Sequence, residues 1–142
     1  MPNVEFAFGV GGEDKKNSSS WILDEWKAPK TERTWGYYRG IHEYNNHTKV
    51  KELAVPPGGK LSMQRHQERS EHWFVAEGTA TVYTLDSSSD VDLHGVFKQH
   101  QSLHIPVGQW HQLANEHDVD LKLVEIQYGS NCVEEDIERV DK

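Results

Sequence analysis

From Trp35 onward, the sequence is divided into short runs of strand-forming residues by residues that favour turns. The runs interpreted as strands are 35–44, 48–55, 60–64, 71–77, 79–85, 93–98, 101–105, 110–115 and 121–128. Turn-forming residues such as Asn45-Asn46, Gly58-Gly59 and Gly78 lie between these runs. Many short strands at this spacing predict an all-β sandwich or barrel. Residues 133–139 are predicted as one helical turn.

The first 34 residues differ in composition from the remainder of the chain. We interpret residues 1–34 as an N-terminal arm and residues 35–142 as a single barrel with a short C-terminal segment. The arm contains an apolar cluster, from Trp21 to Trp26, in polar surroundings. Such clusters usually pack on another surface, either this subunit's barrel or a neighbour's. We therefore expect a homodimer with this cluster at the interface.

Length and charge exclude several classes of protein. A chain of 142 residues is the size of one domain, and 35% apolar residues allow a packed core of modest size. The net charge of −8 argues against nucleic acid as the main partner, because phosphate backbones attract basic surfaces. No apolar run reaches membrane-spanning length, and no signal-peptide pattern is visible. The single cysteine, Cys132, fits a reducing cytoplasm, which is the expected location.

Two short stretches contain four side chains that can bind a metal ion. The first stretch supplies Gln64, His66 and Glu71, and the second supplies His111. Two imidazoles with a carboxylate and an amide oxygen suit a divalent ion, zinc foremost, with manganese, cobalt, nickel and iron as alternatives. Glycine and proline beside each stretch fit turns between strands. The sequence therefore predicts a metal ion at the centre of a small β-barrel.

Strand periodicity assigns further side chains to the same interior. Because a strand repeats every two residues, Lys60 and Ser62 share a face with Gln64 and His66. The same rule places Lys51 with two apolar residues of its strand, and Glu125 and Gln127 with two leucines. The predicted interior has an apolar floor and a polar mouth, which is typical of a small-molecule pocket. The mouth residues are Lys51, Lys60, Glu125 and Gln127.

The spacing of the two stretches resembles the paired signature motifs of the cupin superfamily. The first reads Gly58-x5-Gln64-x-His66-x4-Glu71-x6-Gly78, and the second reads Pro106-x-Gly108-x2-His111-x3-Asn115. Gln64 stands where many cupins carry a first histidine. His100 stands where the second motif usually opens with glycine. The resemblance implies a jelly-roll barrel, also called a double-stranded β-helix.

A closer similarity covers nearly all of residues 33–139. The runs RTWGYY, KVKELAVPPGGKLSMQRHQERSEHWFVAEGTA, QSLHIPVGQWHQLAN and EIQYGSNCVEEDIERV are similar to the isomerase domain of type II mannose-6-phosphate isomerases. That family also carries glutamine at the position of Gln64. Its isomerase domain often follows a mannose-1-phosphate guanylyltransferase domain. The 34 residues ahead of the barrel cannot hold such a domain, so a stand-alone isomerase-like cupin is expected.

The resemblance implies a metal-dependent aldose–ketose isomerase that interconverts mannose 6-phosphate and fructose 6-phosphate. Arg139 matches an arginine near the end of the family domain and is assigned to the catalytic site with Glu125. Either Glu125 or a metal-bound hydroxide is the candidate base. Lys51, Lys60 and Gln127 are the expected contacts to the sugar phosphate.

Two other classes of function remain open from the sequence. One is a different metal-cupin enzyme that acts on a sugar or nucleotide sugar, such as an epimerase or a dioxygenase. The other is a non-catalytic cupin that binds or senses a sugar. The second alternative draws support from Arg65, Gln67 and Glu68, which replace residues that are common in the isomerase family, a methionine and two histidines.

Overall fold

A computed structural model describes residues 29–142, which form eleven β-strands and no helix. The strands are β1 Thr31–Arg33, β2 Gly36–Asn45, β3 Thr48–Val55, β4 Met63–Arg65, β5 Arg69–Glu77, β6 Ala80–Leu85, β7 Val91–Phe97, β8 Ser102–Ile105, β9 Gln112–Ala114, β10 Leu121–Gly129 and β11 Glu138–Val140. Each predicted run overlaps a strand, although only three residues are paired at β4 and β9, where the predicted runs were 60–64 and 110–115. The all-β prediction is therefore confirmed across the described part of the chain.

The structure differs from the prediction in the first and last strands of the described chain. The helical turn predicted for residues 133–139 is wrong, because Glu138–Val140 forms β11 and pairs with β4. Pairing with a distant strand outweighs the weak local preference of a short charged segment. Thr31–Arg33, at the end of the predicted arm, pairs with β2 as an edge strand. The apolar cluster from Trp21 to Trp26 lies outside the described residues.

The strands form two antiparallel sheets around one apolar core. The larger sheet has the order β1-β2-β3-β10-β5-β8, and the smaller has the order β9-β6-β7. β11 and β4 form a separate two-stranded pair. The core between the sheets contains Leu53, Val55, Leu61, Trp73, Val75, Ala80, Val82, Leu103, Ile105, Leu113, Leu121 and Leu123. The candidate site residues described below extend this inner surface toward one end.

Strand β10 is central to the larger sheet and carries polar residues inward at one end. Its buried face runs Leu121, Leu123, Glu125 and Gln127, as the alternation predicts. Lys51 of β3 lies opposite Glu125, and Glu71 of β5 lies opposite Gln127. Side chains directly across paired strands are in contact range. Three neighbouring strands therefore bring their polar inner residues to one place.

His100 adopts an unusual backbone conformation in the turn between β7 and β8. Its φ is 71°, in the left-handed region that residues other than glycine rarely occupy. This is the position where the second cupin motif usually opens with glycine. The imidazole of His100 stacks on Phe74 of the neighbouring strand β5. The sequence therefore carries backbone strain at a turn where a glycine has none.

Between residues 29 and 142, no helix has the length and apolar character that crossing a membrane requires.

Candidate functional site

Three predicted metal ligands converge in the barrel interior. His66 follows β4, Glu71 lies on β5 and His111 immediately precedes β9, and all three are buried. One potential ligand atom from each lies within 4.8 Å of the others. His66 Nε2 is 3.2 Å from Glu71 Oε2, and His111 Nε2 is 3.7 Å from Glu71 Oε1. Residues separated by up to 45 positions in the sequence thus form one cluster of nitrogen and oxygen donors.

Backbone carbonyls orient both imidazoles toward this cluster. His66 Nδ1 lies 2.7 Å from the carbonyl oxygen of Asp136, and His111 Nδ1 lies 2.9 Å from that of Gln109. Because a carbonyl oxygen only accepts hydrogen bonds, each Nδ1 carries the proton and each Nε2 presents a lone pair to the cluster. Burial lowers the pKa of His111, which favours the neutral form that binds metals. The donor set fits a divalent ion with an open coordination position.

Gln64 lies beside this cluster. Its backbone N–H and carbonyl both bond to His111, at 2.9 and 2.8 Å. The side-chain Nε2 donates to the hydroxyl and carbonyl oxygens of Ser62, at 3.3 and 3.4 Å. Because the amide nitrogen is occupied as a donor, the oxygen of Gln64 is the atom suited to a metal ion.

Two residues that the sequence reasoning did not assign to the site hold the Glu71 carboxylate in place. Arg69 Nε donates to Oε2 at 3.1 Å, and Trp73 Nε1 donates to Oε1 at 2.9 Å. Both donors are buried, with exposures of 5% and 2%. The signal that could have found them is strand periodicity, because both lie two residues from Glu71 on β5.

Glu125 forms a second buried carboxyl group beside the cluster and hydrogen-bonds to Glu71. Burial and the negative charge of Glu71 raise the pKa of Glu125 well above its ordinary value. Burial also acts to raise the pKa of Glu71, but its side-chain contacts with His66 and Glu125 and the electrostatic effect of the two neighbouring imidazoles lower that pKa well below its ordinary value. Two adjacent carboxyl groups with opposite shifts form an ionised acceptor and a proton carrier.

A cavity of about 300 Å³ extends from the cluster to the surface. Among its walls are eight of the nine predicted site residues, Lys51, Lys60, Gln64, Glu71, His111, Glu125, Gln127 and Arg139. The ninth, His66, belongs to the ligand cluster. Leu53, Leu61 and Leu113 supply the apolar surface that was expected. The structure thus brings the predicted residues together around one cavity.

The cations at the mouth differ in their partners. Lys51 is paired with Glu134, a residue of the C-terminal segment that the sequence reasoning left at the surface. Arg139 donates from Nε to the hydroxyl of Ser62 at 3.3 Å, and its side chain also lines the cavity. Lys60 is exposed at the rim and has no ion-pair partner within residues 29–142. Lys60 and Arg139 are therefore more available to a bound anion than Lys51 is.

Gln127 presents an unused acceptor to the cavity. Its side chain is 1% exposed, and its Oε1 has no hydrogen-bond partner among the described residues. A buried polar atom without a partner is costly, so native proteins rarely leave one unpaired unless water or a ligand completes it. Because Gln127 lines the cavity, a water molecule or ligand in the cavity can donate a hydrogen bond to this oxygen.

Comparison with known proteins identifies the family. A family model described as mannose-6-phosphate isomerase C-terminal matches residues 24–142. The chain belongs to this family. The family membership confirms the resemblance read from the motifs.

Characterised proteins with a similar sequence are several times longer than this chain. The alginate biosynthesis protein AlgA of Pseudomonas aeruginosa is 38% identical over 109 residues, which cover 77% of this chain and 21% of AlgA. A mannose-1-phosphate guanylyltransferase of Escherichia coli is 40% identical over 107 residues, which cover 75% of this chain and 21% of that enzyme. The chain thus spans about a fifth of the length of the curated relatives it matches.

Solved structures confirm the cupin fold. The capsular polysaccharide assembling protein CapF from Staphylococcus aureus has a TM-score of 0.69 at 15% identity, over 80% of this chain and 34% of that chain. A Klebsiella pneumoniae protein with a double-stranded beta-helix domain has a TM-score of 0.63 at 17% identity, over 84% and 95% of the two chains. At such identities the likeness establishes the fold alone.

Proposed function

We propose that this protein is a metal-dependent isomerase that interconverts mannose 6-phosphate and fructose 6-phosphate. One observation carries the proposal: a single cavity joins the buried His66, Glu71 and His111 cluster to a cationic mouth containing Lys60 and Arg139. A hexose phosphate has the matching chemistry, with a carbonyl at one end and an anion at the other. Membership of the mannose-6-phosphate isomerase C-terminal family supports the same substrate.

The metal ligands in this proposal are His66, Glu71, His111 and the side-chain oxygen of Gln64. A divalent ion bound there, zinc foremost, supplies positive charge that polarises the sugar carbonyl. Arg69 and Trp73 hold both oxygens of Glu71, so the carboxylate is oriented before a ligand arrives. Preorganised groups of this kind cost no rearrangement during the reaction.

Glu125 is the proposed base. The reaction moves the proton on C2 of the aldose to C1 of the ketose, while the hydroxyl proton on O2 moves to O1. A carboxylate that takes the C2 proton and returns it to C1 needs a pKa nearer to the working pH than an ordinary glutamate has. The raised pKa of Glu125, caused by burial and by the neighbouring Glu71, fits this requirement.

The remaining cavity residues bind the rest of the sugar phosphate. Arg139 offers a planar fork and Lys60 a point charge to the 6-phosphate. Lys51 contributes only if the anion competes with Glu134, its partner in the structure. The unpaired oxygen of Gln127 accepts a hydrogen bond from a sugar hydroxyl. Together these groups orient the C1–C2 edge toward Glu125.

The test combines metal analysis with an activity assay. Chelator-treated protein is reloaded with zinc or manganese, and fructose 6-phosphate formed from mannose 6-phosphate is followed in a coupled assay. Turnover is expected only after metal is restored. His66→Ala and His111→Ala should lose bound metal and turnover, whereas His94→Ala, an exposed histidine on β7, should keep both.

The outcomes separate the classes of function. Metal-loaded protein that binds hexose phosphates without turnover would assign the chain to sugar-binding cupins. If the protein neither binds nor converts hexose phosphates, the proposed substrate is refuted, but the proposed metal site is not. Wild-type metal content in both histidine variants would refute the metal site itself.

A further inference from the structure

The C-terminal segment, residues 130–140, packs against the loop that carries His66. Asp136 lies at the centre of this contact. Its backbone carbonyl accepts a hydrogen bond from His66 Nδ1 at 2.7 Å. Its two carboxylate oxygens accept from the backbone N–H groups of Gln67 and Glu68, each at 2.9 Å. One residue therefore holds both the imidazole and the peptide groups that follow it.

We propose that Asp136 is a positioning residue for the metal ligand His66. The proposal rests on the metal site of the proposed function and not on the identity of the sugar. The carbonyl of Asp136 fixes the proton on Nδ1, which leaves Nε2 of His66 as the ligand atom. Its carboxylate fixes the loop, which keeps the carbonyl and the imidazole aligned. Asp136 does not line the cavity, so its effect on ligands passes through His66.

Neighbouring contacts tie the same segment to both strands that carry ligands. Arg69, which holds Glu71, donates from Nη1 to the carbonyl of Val133 at 3.1 Å. The backbone N–H of Ser130 donates to the carbonyl of Glu68 at 2.9 Å. The segment then continues into β11, which pairs with β4 just before His66. The chain is therefore held both before and after Asp136, which keeps its carbonyl in place against the imidazole of His66.

The second histidine provides an internal comparison. His111 Nδ1 bonds to the carbonyl of Gln109, only two residues away, and among the described residues the imidazole has no hydrogen bond to the C-terminal segment. Loss of the Asp136 carboxylate should therefore loosen His66 and leave His111 unchanged. A general structural defect would loosen both.

The experiment measures metal affinity rather than enzyme activity. The variants are Asp136→Asn, which has the same shape but turns an amide NH₂ group toward a backbone N–H, and Asp136→Ala. The matched control is Glu135→Ala, because Glu135 is an exposed neighbour whose side chain has no hydrogen bond or ion pair among residues 29–142. Zinc affinity of the chelator-treated full chain is determined by competition with a chromophoric chelator. Both Asp136 variants should bind zinc about 10–100-fold more weakly, and the control should be unchanged.

A second measurement separates positioning from general stability. The imidazole Nδ1 protons are followed by NMR in the metal-free protein. The His66 proton should exchange faster in Asp136→Asn, while the His111 proton remains protected. Wild-type zinc affinity in a folded Asp136→Asn protein would overturn the proposal, as would equal loss of both signals or failure of this isosteric variant to fold. Absence of isomerase activity in the wild-type protein would refute the proposed substrate without affecting this result.

Discussion

Replacing Glu71 by glutamine should destabilise the metal-free protein, because Glu71 is the centre of a buried hydrogen-bonded charge network. Its oxygens accept from Arg69 at 3.1 Å and from Trp73 at 2.9 Å, and both histidine Nε2 atoms lie within 4 Å. Glutamine removes the negative charge that compensates the buried guanidinium. It also turns an NH₂ group toward one of the two donors.

The magnitude follows from this geometry. Breaking a buried ion pair by removing one partner costs about 3–5 kcal/mol. The lower end of this range, about 3 kcal/mol, is expected because glutamine keeps one acceptor oxygen and Glu125 lies close enough to take up the charge. With a urea dependence of about 2 kcal/mol per molar, the unfolding midpoint should fall by about 1.5 M.

The assay is urea unfolding of chelator-treated protein, followed by tryptophan fluorescence. Glu134→Gln serves as the control, because Glu134 is paired with Lys51 but its side chain is 59% exposed. Because water reaches the exposed Glu134 carboxylate and screens the pair, its contribution is expected to be about 0–1 kcal/mol, so the control midpoint should move by less than about 0.5 M. Equal midpoints for Glu71→Gln and the wild type would refute the reasoning, since the buried Arg69 would then need no counter-charge.

Four further predictions address binding, stability and assembly. Lys60→Ala and Arg139→Ala should each raise KM for mannose 6-phosphate with little change in kcat, because a phosphate anchor contributes equally to ground and transition states; steady-state kinetics test this. Asn115→Ala should lower the free energy of unfolding by about 2–3 kcal/mol, since the buried amide donates to two backbone carbonyls at 2.8 Å each; an unchanged urea midpoint would contradict it. His100→Gly should leave the free energy of unfolding within about 1 kcal/mol of the wild-type value, because relief of left-handed strain is offset by the entropy of glycine and by loss of the stack on Phe74; thermal unfolding measures the difference, and a Tm shift of more than about 5 °C would refute it. Deletion of residues 1–30 should convert the proposed homodimer to a monomer in light scattering, and a persistent dimer would show that the arm is not the contact.

The sequence predicted the centre of the site because the relevant patterns are local. A strand alternates every two residues, so the inward face of β10 could be assigned from Leu121 to Gln127 without any tertiary information. The same rule, applied from Glu71 to Arg69 and Trp73, would have added both donors to the site. The spacing of Gln64, His66, Glu71 and His111 carries the family signature in the same local form.

The first and last strands of the described chain were harder to predict. Residues 133–139 are short and highly charged, so a single helical turn was a reasonable local expectation. Their conformation is decided by β4, a strand more than 70 positions earlier in the sequence, which offers backbone groups to Glu138–Val140. Thr31–Arg33 likewise becomes a strand through its hairpin pairing with β2. Neither segment has enough strand-forming residues to identify it alone.

The sequence by itself determined the all-β architecture, the candidate ligand residues and the inward faces of the main strands, because periodicity and motif spacing encode them. Only the tertiary structure decided which partners meet. Lys51 pairs with Glu134 across 83 positions, and the carbonyl of Asp136 accepts a hydrogen bond from His66 across 70 positions. Such pairings depend on how a distant segment crosses the barrel opening, and neither partner carries a local pattern that specifies the other. The backbone path therefore sets which charges at the mouth are neutralised and how the imidazole of His66 is held.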